Sequence, residues 1–236
     1  MKSRFRNVLL TGALAVFLVP SLVPSLVPSL DAAAEETRNE EFRYGWQLRN
    51  FVGAVAGLFL PNSGEGSLTF KSQKNGHLRT ELTITSADSK NGEYFRYGSE
   101  IDTKTLQPIR AWSSYSWRGE SKSKSEDIAQ RGVLDIASGI YAIRNDPPLK
   151  PRRMEIWSDG KVYQVIVMPL GEETRKVGNT KVATRHFSVR GIETPGNRKW
   201  KGKLDLWLAK DDAATPVGIL ISRNLADVRM DLRPAS

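Results

Sequence analysis

The sequence predicts a mainly β protein: one large, strongly curved antiparallel sheet, a half-barrel, with a short helix against its concave side. Three observations carry this. Apolar and polar residues alternate through most of the chain after residue 66, as where Leu78, Thr80, Leu82 and Ile84 enclose Arg79, Glu81 and Thr83. That is the period of a half-buried strand. Asn91-Gly92 and Asp159-Gly160 fall between such runs, and both dipeptides accept the positive φ values of a tight hairpin turn. One segment alone after the leader reads clearly as helix: Val133, Ile136, Ile140, Tyr141 and Ile143 recur at roughly helical spacing, with Asp135 near the start and Asn145-Asp146-Pro147-Pro148 as the stop.

Taken in order, residues 1–34 read as a secretory signal peptide. Lys2, Arg4 and Arg6 make a positive start, Val8 to Val19 an apolar run, and Ala32-Ala33-Ala34 an A-x-A cleavage site. Val19-Pro20-Ser21-Leu22 recurs twice more up to Leu30, which reads as a tolerated duplication in a discarded segment. Its prolines interrupt the apolar stretch of about 20 residues that a spanning helix requires. Cleavage between Ala34 and Glu35 leaves residues 35–236, long enough for one large domain without staples. Within it, Leu68-Thr69-Phe70 opens the alternation, and Phe95, Tyr97 and Ile101 continue it. Ile156 to Tyr163, around Asp159-Gly160, is the clearest hairpin. Val162 to Met168 is apolar on both faces, which predicts a central strand covered on both sides. Leu204, Leu206 and Leu208 share one strand face. Val217 to Ile221 and Val228-Met230-Leu232 are the last two strands.

Composition narrows the function classes. The chain has no cysteine, which excludes structural disulfides, thiolate metal sites and a lipidated-cysteine anchor. The expected location is therefore the periplasm, as a free protein rather than a lipoprotein. The charge is +9, and losing Lys2, Arg4, Arg6 and Asp31 with the leader lowers it to +7. Outside the cytoplasm a basic surface points to lipid headgroups, lipopolysaccharide or another envelope component, with peripheral membrane contact and no nucleic acid. A merely solubilising surface is the alternative.

Several stretches carry a family resemblance. They are Tyr97-Gly98-Ser99-Glu100-Ile101-Asp102 with Thr105, Leu106 and Pro108, the helix Asp135 to Tyr141, Ile156 to Val167, Trp200 to Leu208, and Thr215-Pro216-Val217. Together they resemble an uncharacterised family of exported bacterial envelope proteins, domain of unknown function three-one-zero-eight, over about Phe42 to Leu232. The family is similar in outline to the periplasmic lipoprotein-carrier half-barrels. The resemblance implies a concave apolar surface that holds an acyl chain or a peptide, and it transfers no catalytic residue. The chain departs from the family's pattern at Phe51 to Leu60, an apolar decapeptide where a short polar turn is expected.

The candidate ligand-binding residues follow from these features. Phe51, Leu58, Phe59 and Leu60 belong to the decapeptide, which either fills the mouth of the half-barrel or stands exposed to a membrane or partner. Trp112, Tyr115 and Trp117 form an aromatic strand whose two tryptophans point to opposite faces. Ile140 and Tyr141 lie on the helix, outside the sheet. The alternative for all of them is ordinary packing. Basic clusters at Lys122 with Lys124, Lys150 to Arg153, Arg175 with Lys176 and Arg198 to Lys203 read either as a solvated rim or as an anion site. No catalytic motif, metal cluster or cofactor fingerprint is present. The histidines are His77 and His186 alone, and the adjacent pairs Glu172-Glu173 and Asp211-Asp212 point to opposite strand faces. The expected function is non-catalytic binding or carriage of an apolar or amphipathic ligand. An assembly or scaffold factor working through the decapeptide and a sheet edge is the alternative. A polar cleft converging on His186 with a carboxylate would favour an enzyme.

Overall fold

A computed structural model describes residues 39–49, 63–73, 75–87, 92–117, 119–196, 198–223 and 226–234. The leader, its cleavage residues Ala32 and Ala34, and Phe51 to Leu60 lie outside the described residues. In chain order the strands are β1 (Glu40–Arg49), β2 (Ser63–Ser72), β3 (His77–Ser86), β4 (Tyr94–Asp102), β5 (Pro108–Trp117), β6 (Glu120–Asp127) and β7 (Val133–Leu134). The helix α1 (Ile136–Asn145) comes next. It is followed by β8 (Arg152–Ser158), β9 (Lys161–Val177), β10 (Thr180–Gly191), β11 (Gly202–Ala209), β12 (Pro216–Arg223) and β13 (Ala226–Leu232).

All the strands form one sheet, in the order β6-β5-β4-β3-β2-β1-β13-β12-β11-β10-β9-β8-β7. The neighbours are antiparallel except the two-residue β7, which runs parallel to β8. Only the β1–β13 pair joins strands distant in sequence, so the sheet is two meanders joined through the first and last described strands. The predicted fold class therefore holds among the described residues: mainly β, one large sheet that does not close into a barrel, and one helix.

Alternation sorts each strand into a concave and a convex row. The concave row supplies the core: Tyr44, Leu68, Phe70, Leu82, Ile101, Val165, Val167, Phe187, Leu206, Ile219 and Met230 are all sealed from solvent. Helix α1 fills the centre of this concavity, with Ile136, Ile140 and Ile143 in the same cluster. Its start is as predicted. Asp135 is the N-cap and accepts from the backbone N–H groups of Ala137 and Ser138, and Ser138 completes a capping box. Ser99 of β4 also donates to Asp135 at 2.6 Å, and Thr80 of β3 pairs with Ser99 at 3.2 Å. These bonds tie the helix start to the sheet. Its end is held by Arg144, which donates to both carboxylate oxygens of Glu40 and to the Ala213 carbonyl, beneath the rings of Phe42 and Phe70.

The edges of the sheet overlap instead of pairing. Trp157 stands on the convex side of β8 and packs with Ala111 from the concave side of β5, together with Ile128 and Val133. Its indole donates to Glu126 of β6 at 3.0 Å. One expectation needs correction here. Val162 to Met168 in β9 is not covered on both sides: Val165 and Val167 are buried, but Ile166 and Met168 on the opposite row are half-exposed. The core covers only the concave face of this stretch. Further along, β9 and β10 continue as a long hairpin whose Val177 and Val182 pack on Trp207 of the convex face. A positive φ at Gly171 and a bulge between His186 and Phe187 allow that bend.

Candidate ligand-binding site

Because α1 occupies the middle of the concavity, little room remains beneath it. The gap between α1 and strands β8 to β11 is about 20 Å³, about enough for one water. Space opens instead at the end of the sheet where β5 turns into β6 and β8 into β9. A cavity of about 460 Å³ there is lined by Phe95, Tyr97, Ser113, Tyr115, Lys122, Lys124, Asp159, Lys161 and Tyr163.

Register explains this lining. Phe95 of β4 pairs with Tyr115 of β5, which pairs with Lys122 of β6. One step further in, Tyr97, Ser113 and Lys124 form the parallel row. Two cross-strand rows thus run from aromatic to ammonium, and the rings of Phe95 and Tyr115 stack at 5.9 Å. The opposite wall is the β8–β9 hairpin. Asp159 and Gly160 both take positive φ, at 53° and 79°, so two residues suffice to turn the chain. A Cβ added at Gly160 would lie 2.6 Å from the side chain of Lys124, so this turn rests against the β6 row. Lys122, Lys124 and Lys161 form no ion pair with any described residue.

A second cavity of about 220 Å³ adjoins the first and shares Tyr97, Asp159, Lys161 and Tyr163 with it. Its other wall carries Arg198, Lys199, Trp200 and Lys201, and Ile136 at the start of α1 also contributes. Trp200 lies across Gly202, where any side chain would collide with the indole, and it packs on the core. The Trp-Lys-Gly-Lys sequence thus sets a tryptophan between the core and the cavity.

Of the residues singled out from sequence, Tyr115 lines the cavity, as do the basic residues Lys122 and Lys124. Trp112 does not. It sits on the convex face, donates to Glu81 and stacks under Arg79, because Ala111 takes the concave position beside it. Ile140 is 1% exposed and is part of the core, and Tyr141 packs on Phe70 at 5.1 Å. Both point into the space the helix itself fills. The side chain of Trp117 lies outside the described residues, as do Phe51, Leu58, Phe59 and Leu60. Phe95, Tyr97, Lys161, Tyr163 and Trp200 were not singled out as ligand residues. The Phe95-Tyr97 alternation and the Asp159-Gly160 turn beside Lys161 were the signals available.

His186 does meet carboxylates, on the convex face. Its ring stacks on Trp207 at 4.4 Å, with Nε2 3.7 Å from Asp205 and Nδ1 4.0 Å from Glu173. Those separations exceed hydrogen-bond reach. Asp205 is 4% exposed and is held by Arg190 and Lys203, each at 3.0 Å. Burial alone would raise its pKa, but the Ser188 hydroxyl, Lys203 and Arg190 beside it outweigh burial and hold the carboxyl below its ordinary value. Glu173 accepts from the Trp207 indole, and Arg175 covers the other face of that ring at 4.1 Å. Each carboxylate is thus engaged, and none of these residues lines either cavity. The arrangement is an ion-pair cluster pinning the long hairpin to the sheet. Among the described residues, no three His, Cys, Asp or Glu side chains converge to hold a metal ion.

Sheet, central helix and mouth cavity define an open antiparallel half-barrel with an aromatic and basic mouth. Residues 117–233 match the family described as "Protein of unknown function (DUF3108)", the family that the sequence resembles. The helix, the Trp200 to Leu208 strand and Thr215-Pro216-Val217 fall inside that span. The Asp102 to Pro108 motif falls outside it. Among solved structures, the chain is similar to "Crystal Structure of Beta-barrel-like Protein of Domain of Unknown Function DUF1849 from Brucella abortus". The two are 8% identical, over 82% of this chain and 95% of that one, with a TM-score of 0.44. No curated protein matches.

Proposed function

We propose that this is a non-catalytic binding or carrier protein of the periplasmic cell envelope, and that it holds an amphipathic ligand at the mouth of the half-barrel. The cavity of about 460 Å³ carries this reading. It is a concave space walled by four aromatic rings and edged by polar groups, the usual composition of a small-molecule site. Among the described residues α1 fills the centre of the concavity, so the ligand sits at the mouth and does not run beneath the helix. Burying apolar surface against the rings contributes about 25 cal/mol per Å². The leader-like residues 1–34 support the periplasm, and the absence of cysteine supports a form without a lipidated-cysteine anchor.

Thermal unfolding with a series of fatty acids, fatty alcohols and phospholipids tests this. At saturating concentration a true ligand raises the midpoint by about 5 °C or more. Ser113→Trp fills the cavity from its wall and is expected to abolish the rise while the protein still unfolds cooperatively. No rise with any amphiphile, or an undiminished rise in the filled variant, would reject the site.

The scaffold reading has one observation on its side. All eight residues of β6 are exposed, a free edge on which another chain could pair. The same strand carries Glu120, Lys122, Lys124, Glu126 and Asp127, charges of the kind that guard an edge against pairing. The edge therefore favours the binding reading.

A further inference from the structure

We infer that the ligand of this mouth is an anion: a single acidic group on an apolar body, the acid lying between Lys122, Lys124 and Lys161 and the body against Phe95, Tyr115 and Tyr163. The inference rests on the binding reading above and names the chemistry that the site selects.

Placement of charge is the reason. Lys122 and Lys124 end the two cross-strand rows of β4, β5 and β6, whereas Lys161 comes from the hairpin on the facing wall. Edge protection accounts for lysines on β6, but not for Lys161, which lies on an inner strand pairing with β8. Three ammonium groups from two separate walls converge on one cavity, and none has an ion-pair partner among the described residues. Several buried or half-buried cations elsewhere are neutralised closely, Arg144 by Glu40, Arg175 by Asp231, and Arg190 and Lys203 by Asp205, whereas Lys122, Lys124 and Lys161 are exposed toward the cavity. Among the described lining residues Asp159 is the one carboxylate against three lysines, so their positive charge exceeds their negative charge by two. The adjoining cavity adds Arg198, Lys199 and Lys201. Like charges gathered in a partly enclosed space repel one another, and an entering anion relieves that repulsion. Each row runs from ring to ammonium, which sets the polarity: apolar body inward along the rings, acid toward the β6 edge.

Calorimetric titration of the purified protein separates the possibilities. The probes are dodecyl phosphate, dodecyl maltoside and dodecyltrimethylammonium, each below its micelle concentration, and inorganic phosphate. Dodecyl phosphate is expected to bind at least about tenfold more tightly than the neutral and cationic chains. This preference should shrink as salt is raised, and it should be lost in the Lys122→Gln, Lys124→Gln, Lys161→Gln triple variant. A cooperative thermal unfolding transition in that variant, with a midpoint near the wild type's, shows that the fold persists. Equal affinity for the three chains, or an unchanged preference in the triple variant, overturns the anion inference and leaves the binding reading intact. No binding of any chain overturns both. Inorganic phosphate competing as well as dodecyl phosphate overturns the role given to the rings. Phosphatidylglycerol vesicles distinguish the source: binding that dodecyl phosphate displaces marks a membrane headgroup, whereas dodecyl phosphate binding without vesicle binding marks a free amphiphile.

Discussion

Single residues in this protein hold charge where solvent cannot. Arg144 keeps 4% of its surface exposed, yet its guanidinium meets two carboxylate oxygens, a carbonyl and two aromatic faces. That set compensates the cost of dehydrating the charge. His186 is less fully compensated. Burial lowers its pKa below the ordinary 6.5; Asp205 and Glu173 oppose that shift, and Arg175 adds to it. The folded protein therefore holds a neutral imidazole at a pH where the unfolded chain already binds a proton. The unfolded state takes up more protons on acidification, so stability is full above about pH 6.5 and falls as pH drops toward the folded-state pKa. Asp205 acts lower on the scale: its folded pKa is depressed, and its contribution is lost only below the ordinary carboxylate range. Urea denaturation between pH 8 and 5.5 is expected to show a falling midpoint in the wild type and a flatter one in His186→Gln. Parallel curves for the two proteins would remove His186 from this account.

Elements were legible where local chemistry acts alone. The helix was readable because Asp135 and the Asn-Asp-Pro-Pro stop are local signals, and the Asp159-Gly160 hairpin because its turn accepts no other backbone. Asp102 shows the same for the motif before β5: it caps the N–H groups of Lys104 and Thr105 and accepts the Thr105 hydroxyl, fixing a turn in which Leu106 takes φ of 54°. What the sequence could not show was the strand order and the fate of each row. Whether Trp112 or Ala111 faces the helix depends on partners far along the chain. Whether Ile166 is covered depends on a second layer that this sheet lacks there. The lysines of β6 were readable as a cluster, but their meeting with Lys161 required the roll of the sheet. The β8–β9 turn is where this can be probed. Gly160→Val forces a branched side chain into positive φ and against Lys124, and is expected to cost about 1–3 kcal/mol. The change should appear as a lower denaturation midpoint with an unaltered slope. A variant as stable as the wild type would mean that the turn is not held as described.

At the scale of the whole sheet, the unusual feature is that its two ends overlap without a backbone ladder between them. An open sheet of this size exposes two edges. Here β7 is only two residues long, and the convex face of β8 beside it is covered by the concave face of β5. Trp157 is the residue at that overlap. It is 2% exposed, fills the space between Ala111, Ile128 and Val133, and reaches Glu126 with its indole. No backbone ladder duplicates this contact, so side-chain packing and the hydrogen bonds Trp157–Glu126 and Gln130–Glu155 hold the roll at this seam. Trp157→Ala therefore removes a large buried ring and leaves the Glu126 carboxylate without its donor, a loss of about 3–5 kcal/mol. The effect should be local in origin. Hydrogen exchange in the variant is expected to quicken first in β6, β7 and the β8–β9 hairpin, because these meet across the seam, while β1, β2 and β13 stay protected by their ladders. The mouth cavity has one wall on each side of the same seam, Lys122 and Lys124 on one and Lys161 and Tyr163 on the other. Opening the roll should therefore weaken amphiphile binding even though Trp157 itself does not line the cavity. Uniform acceleration of exchange across the sheet would instead make Trp157 part of the common core. Unchanged binding at a loosened seam would show that one wall suffices to hold the ligand.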